Sequence, residues 1–126
     1  MKLSVILIAY NMQREIPRTL QSLAPSYQQG MEEVDYEVLV LDNNSSEPLD
    51  EQMVTSFGPG FHYHFLDGAP SSPAWALNYG ASKSSGEILC FMIDGAHLLT
   101  PGVLRWALAS FRAFGDPVVL TRYFYL

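Results

Sequence analysis

Three polar sites in this chain stand directly behind apolar runs: Tyr10-Asn11, Asp42-Asn43 and Asp94. Their side chains offer complementary chemistry. Tyr10 presents a flat ring that can stack on another ring. Asp42 or Asn43 can accept a hydrogen bond from a base N–H or from a hydroxyl. Asp94 can accept from sugar hydroxyls or hold a divalent cation. Gathered at one place, these groups suit a nucleotide better than a lipid or a peptide. Each also has a plainer role. Tyr10 can pack at the end of a strand, and Asp42 opens Asp-Asn-Asn-Ser-Ser, which is turn chemistry in its own right. Asp94 can serve a turn too, but a carboxylate behind a buried strand carries a desolvation cost unless it finds a partner.

Whether the three sites meet depends on the elements that carry them. Glu87–Ile93 is a bulky, mostly apolar run that reads as a central strand buried on both faces, with Asp94 at its carboxyl end. Leu3–Ala9 and Tyr36–Leu41 read as further buried strands, and Phe61–Leu66, with its weak alternation, as a strand nearer the edge. Val118–Leu126 begins as a fifth strand. Ile16, Leu20 and Leu23 mark one face of a helix from about Arg14 to Leu23, stopped by Pro25. Leu49, Met53 and Phe57 mark a short helix, and Ala74–Ser84 a third, closed by Gly86. Thr100 as N-cap and Pro101 as first helical residue open a fourth, which ends near Gly115. Strict alternation of strand and helix predicts an α/β fold with a doubly wound, mostly parallel sheet and helices on both faces. Ligands bind at the carboxyl ends of such strands, where all three polar sites would lie on one edge.

Composition narrows the field. The chain of 126 residues suits a single domain, and 48% hydrophobic content excludes a disordered chain. A net charge of −6 argues against a nucleic-acid partner. Cys90 is alone, so it forms no internal disulfide and reads as a small buried hydrophobe. Leu3–Ala9 is too short to span a bilayer and lacks the cleavage site of a signal peptide. A cytoplasmic setting is expected, with any membrane association supplied by sequence outside this chain. The apolar run at the C-terminus predicts that the chain is one piece of a longer domain. No G-x-G-x-x-G loop or Walker lysine follows the first strand, which disfavours dinucleotide and P-loop chemistry. His62 and His64 alternate on a strand without a third ligand at zinc spacing, and there is no G-x-S-x-G elbow.

Four stretches in order, SVILIAYN (4–11), YEVLVLDNNSS (36–46), PAWALNYGASKSSGEILCFMIDGA (73–96) and LLTPGVLRWAL (98–108), resemble the N-terminal, nucleotide-sugar-binding half of a family 2 glycosyltransferase of the GT-A fold. The resemblance implies that Ala9 and Tyr10 hold the nucleotide base, that Asp42 and Asn43 contact it, and that Asn78 with Gly80 lines the site. It also implies that Asp94, matching the first acid of the strand-end D-x-D motif, binds ribose and a Mg²⁺ or Mn²⁺ on the diphosphate. The chain departs from the pattern at Leu77, where the family usually has Arg, and at Ala96, where the second acid belongs. No residue matches the family's general base. The expected activity is transfer of a sugar from a nucleotide-diphosphate donor to an unidentified hydroxyl acceptor, with inversion, this chain forming the donor half. Two alternatives remain: a nucleotide-sugar-binding module without transfer, and a receiver- or flavodoxin-type α/β domain. The Pro73–Ala96 match disfavours the second.

Overall fold

The computed structural model describes residues 1–122. Four strands, β1 (Leu3–Ala9), β2 (Tyr36–Asp42), β3 (Phe61–Phe65) and β4 (Ile88–Met92), alternate with four helices, α1 (Ile16–Leu23), α2 (Glu51–Thr55), α3 (Pro73–Lys83) and α4 (Val103–Ala113). The strands form one sheet in the order β3-β2-β1-β4, and every pairing is parallel. The predicted α/β architecture is therefore the one found.

Burial on two faces explains the apolar runs. Leu3, Val5, Leu7 and Ala9 of β1 pack with Ile16, Leu20 and Leu23 of α1, Val54 of α2, and Leu104 and Leu108 of α4. The alternate residues Ile6 and Ile8, with Leu39 and Leu41 of β2, pack against Ala76 of α3. Every residue of β1 is buried, as expected of a strand covered on both sides. Local signals set the helix starts: Asp50 caps α2 by accepting from the Gln52 N–H, and Ser72 caps α3 ahead of Pro73.

Several expectations need correction. Among the described residues Glu87–Ile93 is not flanked by strands on both sides: β4 pairs only with β1, and alternate residues Leu89 and Phe91 are 36% and 49% exposed. An apolar run records what a strand is fit to bury, and the described neighbours cover only its α1/α4 side. The fifth strand is also missing where it can be seen. Residues 118–122 have no ladder partner, with Val118 and Leu120 exposed, and the rest of that run lies outside the described residues. Pro101 and Gly102 form a turn, so α4 starts at Val103, with Gly102 at φ 92° in place of a Thr100 cap. Arg14 lies in the turn before α1. Gly86 does not close α3, which ends at Lys83. It lies instead flush on β1, where a Cβ would come within 2.6 Å of the Ser4 nitrogen.

At the amino ends of the strands, Glu37 ties three elements together. Its Oε1 accepts from the Ser4 hydroxyl, the Ser85 N–H and the Ser85 hydroxyl, while Ser4 Oγ accepts from the Gly86 N–H. Desolvation pushes the Glu37 pKa up, but these hydrogen bonds and Lys2 outweigh it, and the net shift is downward from 4.5. A lowered folded-state pKa contributes stability that is present above the ordinary carboxylate range and is lost as pH falls through it. Glu37→Ala is expected to cost about 1–3 kcal/mol at neutral pH. In urea unfolding, the gap from wild type should close below about pH 4. A gap that stayed constant with pH would refute this assignment.

Candidate functional site

The carboxyl ends of β1 and β2 are joined by a compact hydrogen-bonded turn system. Ala9 pairs with Asp42, and the Asn43 N–H donates to the Ala9 carbonyl at 2.8 Å. Asn11, at φ 49°, ends β1 sharply, and its N–H donates to Ser45 Oγ at 2.9 Å. Its own Oδ1 accepts from the Ser46 hydroxyl and the Glu47 N–H. Asn44, at φ 59°, turns the chain after β2 and accepts from the Gly68 N–H. Asn tolerates this left-handed conformation better than most residues, which is why Asn-rich turns fit here.

Asp42 is fully buried, and its carboxylate is committed to the protein. Oδ1 accepts from the Ser45 N–H, and Oδ2 from the Leu49 N–H at 2.9 Å and the Tyr63 hydroxyl at 3.0 Å. Burial, and then the hydrogen bond and charge of Asp42, push the Tyr63 pKa upward. Asp42 therefore holds the turn together. Its neighbour Asn43 is different: only 5% exposed, it donates through Nδ2 to the Pro70 carbonyl, while its buried Oδ1 has no hydrogen-bond partner among the described residues. A buried amide oxygen without a donor is uncommon in folded proteins and calls for a missing partner.

Tyr10, 59% exposed, follows Ala9 on the strand next to Asn43, since Ala9 pairs with Asp42. Ala9 itself is buried, and its carbonyl takes the Asn43 N–H, so it forms the floor of the site. On the other side of β1, Met92 of β4 pairs with Leu7, so Asp94 reaches the same rim two residues later. Its Oδ1 accepts from the Ala96 N–H at 2.9 Å, forming an Asx turn and leaving Oδ2 without a protein partner among the described residues. The loop is pinned to α1: the Thr19 hydroxyl donates to the Gly95 carbonyl, and Gly95 lies so close to Ile16 that a Cβ would come within 2.3 Å of its Cδ1.

Tyr10, Asn43 and Asp94 thus share one rim, spread across three adjacent strands about 10 Å from first to last at ordinary strand spacing. Asn78 stands apart. It is exposed on α3 between buried Ala76 and Gly80, on the side turned from the sheet, and has no hydrogen bond among the described residues. Around Asp94, Ala96 contributes only a methyl group, and no three His, Cys, Asp or Glu side chains gather among the described residues. His64 Nδ1 lies 3.2 Å from the Tyr79 hydroxyl, so that histidine has a structural partner. Burial pushes the Cys90 thiol upward in pKa, away from nucleophilic chemistry.

Sequence reasoning missed the contributions of Tyr63 and Ser45. The period-two alternation of Phe61–Phe65 did signal that Tyr63 faces opposite to His62 and His64. Nothing local signalled that its hydroxyl would reach Asp42, since 21 residues separate them. No helix among the described residues is long and apolar enough to cross a membrane.

The fold is shared with known structures. A crystal structure of S. aureus TarS 1–349 superposes with a TM-score of 0.74 at 26% identity, covering 90% of this chain and 33% of that one. A longer S. aureus TarS structure gives the same TM-score and identity, with 20% of that chain covered. TarS 1–349 in complex with UDP matches at 23% identity and a TM-score of 0.74, covering 96% of this chain and 38% of that one. The chain therefore spans about a third of TarS 1–349. Among curated proteins, none is significantly similar. Glycosyl transferase family 2 matches the sequence over residues 4–125, nearly its whole length, and the chain belongs to that family.

Proposed function

We propose that the rim formed by Tyr10, Asn43 and Asp94 binds the nucleotide of a nucleotide-diphosphate sugar, whose sugar is then transferred to a hydroxyl acceptor. The observation that carries this reading is an Asn43 Oδ1 without a donor among the described residues, one strand away from the exposed Tyr10 ring. A base with an imide N–H, such as uracil or guanine, would donate to that oxygen while stacking on Tyr10. Asp94 Oδ2 would accept from the ribose hydroxyls. Asp42 keeps the turn in shape. In the transfer step, the acceptor oxygen bonds to the anomeric carbon as the bond to the diphosphate breaks, with inversion, and the diphosphate leaves with the bonding electrons. No residue of this chain is assigned as the base that takes the acceptor proton.

Two findings support the reading: membership of family 2, and a structural neighbour, TarS 1–349, in complex with UDP. UDP is therefore the first probe, with GDP as the comparison. Thermal unfolding of the full chain should shift upward with one of them, by about 2.7 kcal/mol of stabilisation at a hundredfold excess over Kd. Asp94→Ala should remove most of that shift without lowering the transition of the unliganded protein by more than about 0.5 kcal/mol. Absence of any shift with both nucleotides would refute the reading. Ala96, in place of a second acid, favours the alternative of a binding module without transfer. Donor hydrolysis or transfer measured with the full chain separates the two.

A further inference from the structure

Arg14 and Arg18 lie four residues apart across the turn that opens α1, and both line a cleft of about 220 Å³ with Glu15, Thr19, Ala96 and Leu98. They are two of only seven Lys and Arg residues in a chain with thirteen Asp and Glu. Neither guanidinium forms an ion pair among the described residues, where the ion pairs are Lys2–Asp35 and His62–Glu37. Glu15, on the same cleft, pairs with neither. Like charges one helical turn apart repel, so two exposed guanidiniums side by side suit an anion better than an empty groove.

Position gives the cleft its meaning. The Thr19–Gly95 hydrogen bond and the flush contact of Gly95 with Ile16 hold the 94–96 loop against α1. The arginine pair thereby shares a cleft with Ala96, two residues from Asp94, at the end of the sheet that carries Tyr10 and Asn43. Ala96 cannot help to hold a metal, yet a diphosphate brought to this acidic chain still needs positive charge. We propose that Arg14 and Arg18 clamp the donor diphosphate and supply that charge directly, without a divalent cation. The inference rests on the reading of the rim as a nucleotide-sugar site. Guanidinium suits the task because its planar fork pairs with two phosphate oxygens at once.

The test is isothermal titration of the full chain in EDTA with UDP, uridine and pyrophosphate. The proteins are wild type, the double variant Arg14→Ala with Arg18→Ala, and the double variant Arg14→Lys with Arg18→Lys. The alanine pair should weaken UDP binding at least about tenfold and leave uridine binding unchanged, because only UDP carries the diphosphate. The loss should shrink as salt rises, since the exposed charges are screened. The lysine pair should recover part of it. Unchanged UDP affinity in the alanine pair would overturn the clamp while the nucleoside reading stood. Equal losses for UDP and uridine would reduce the arginines to a structural role and also overturn it. If pyrophosphate binding were lost while UDP binding survived, the cleft would belong to a phosphate on the acceptor, and the donor assignment would fall. Wild-type protein that bound neither uridine nor UDP would overturn the rim and the clamp together.

Discussion

Asp42→Ala is expected to lose about 3–5 kcal/mol of stability, because it strands three donors, each costing about 1–3 kcal/mol when buried and unpaired. The Ser45 N–H, the Leu49 N–H and the Tyr63 hydroxyl all converge on this fully buried carboxylate. A single alanine would leave all of them unpaired, against a total stability of only about 5–15 kcal/mol for an ordinary domain. Asp42→Asn keeps one acceptor oxygen and sets an amide NH₂ against the remaining donors, so it should cost less, about 2 kcal/mol. Urea unfolding of both variants checks the order. If alanine cost under about 1 kcal/mol, the carboxylate would not be the keystone of the turn. Because this turn also orients Asn43, Asp42→Asn should weaken UDP binding in step with its loss of stability.

Asn43→Ala should act on the ligand rather than on the fold. It removes one hydrogen bond of the free protein, from Nδ2 to the Pro70 carbonyl, so the stability cost should stay near 1 kcal/mol. It also removes the one buried side-chain acceptor left without a donor among the described residues. A site built to receive an N–H loses about 1.5–3 kcal/mol when either partner is taken away, which is about ten- to a hundredfold in Kd. UDP methylated at the base N3 position provides the matching deletion on the ligand. Wild type with the methylated nucleotide and Asn43→Ala with UDP should each show a loss of that size. The combination should be little worse than either alone, since both changes remove the same bond. Additive losses would mean that the Asn43 oxygen and the base N–H do not meet.

The two predictions separate neighbours that look alike in sequence. Asp42 and Asn43 stand side by side, and by residue type either could accept from a base. The tertiary structure divides them: the Asp42 carboxylate is spent on Tyr63 and the segment before α2, while Asn43, almost as buried, keeps an oxygen without a donor among the described residues. The same division explains Asn78, which carries suitable chemistry but lies on the side of α3 turned from the sheet.

Sequence alone determined the alternation of strand and helix, the parallel sheet, and the edge where Tyr10, Asn43 and Asp94 would lie. Those features follow from local patterns: apolar runs, turn residues behind them, and connections long enough for crossovers. Only the tertiary structure decided that β4 leaves Leu89 and Phe91 exposed, that Asp42 is spent on the fold, and that Arg14 and Arg18 share a cleft with Ala96. Each of these depends on contacts between residues far apart in the chain, such as Thr19 with Gly95 across 76 positions. Hydrophobic period and turn propensity are properties of neighbours in sequence, whereas hydrogen-bond satisfaction and charge proximity arise only once the chain has closed on itself.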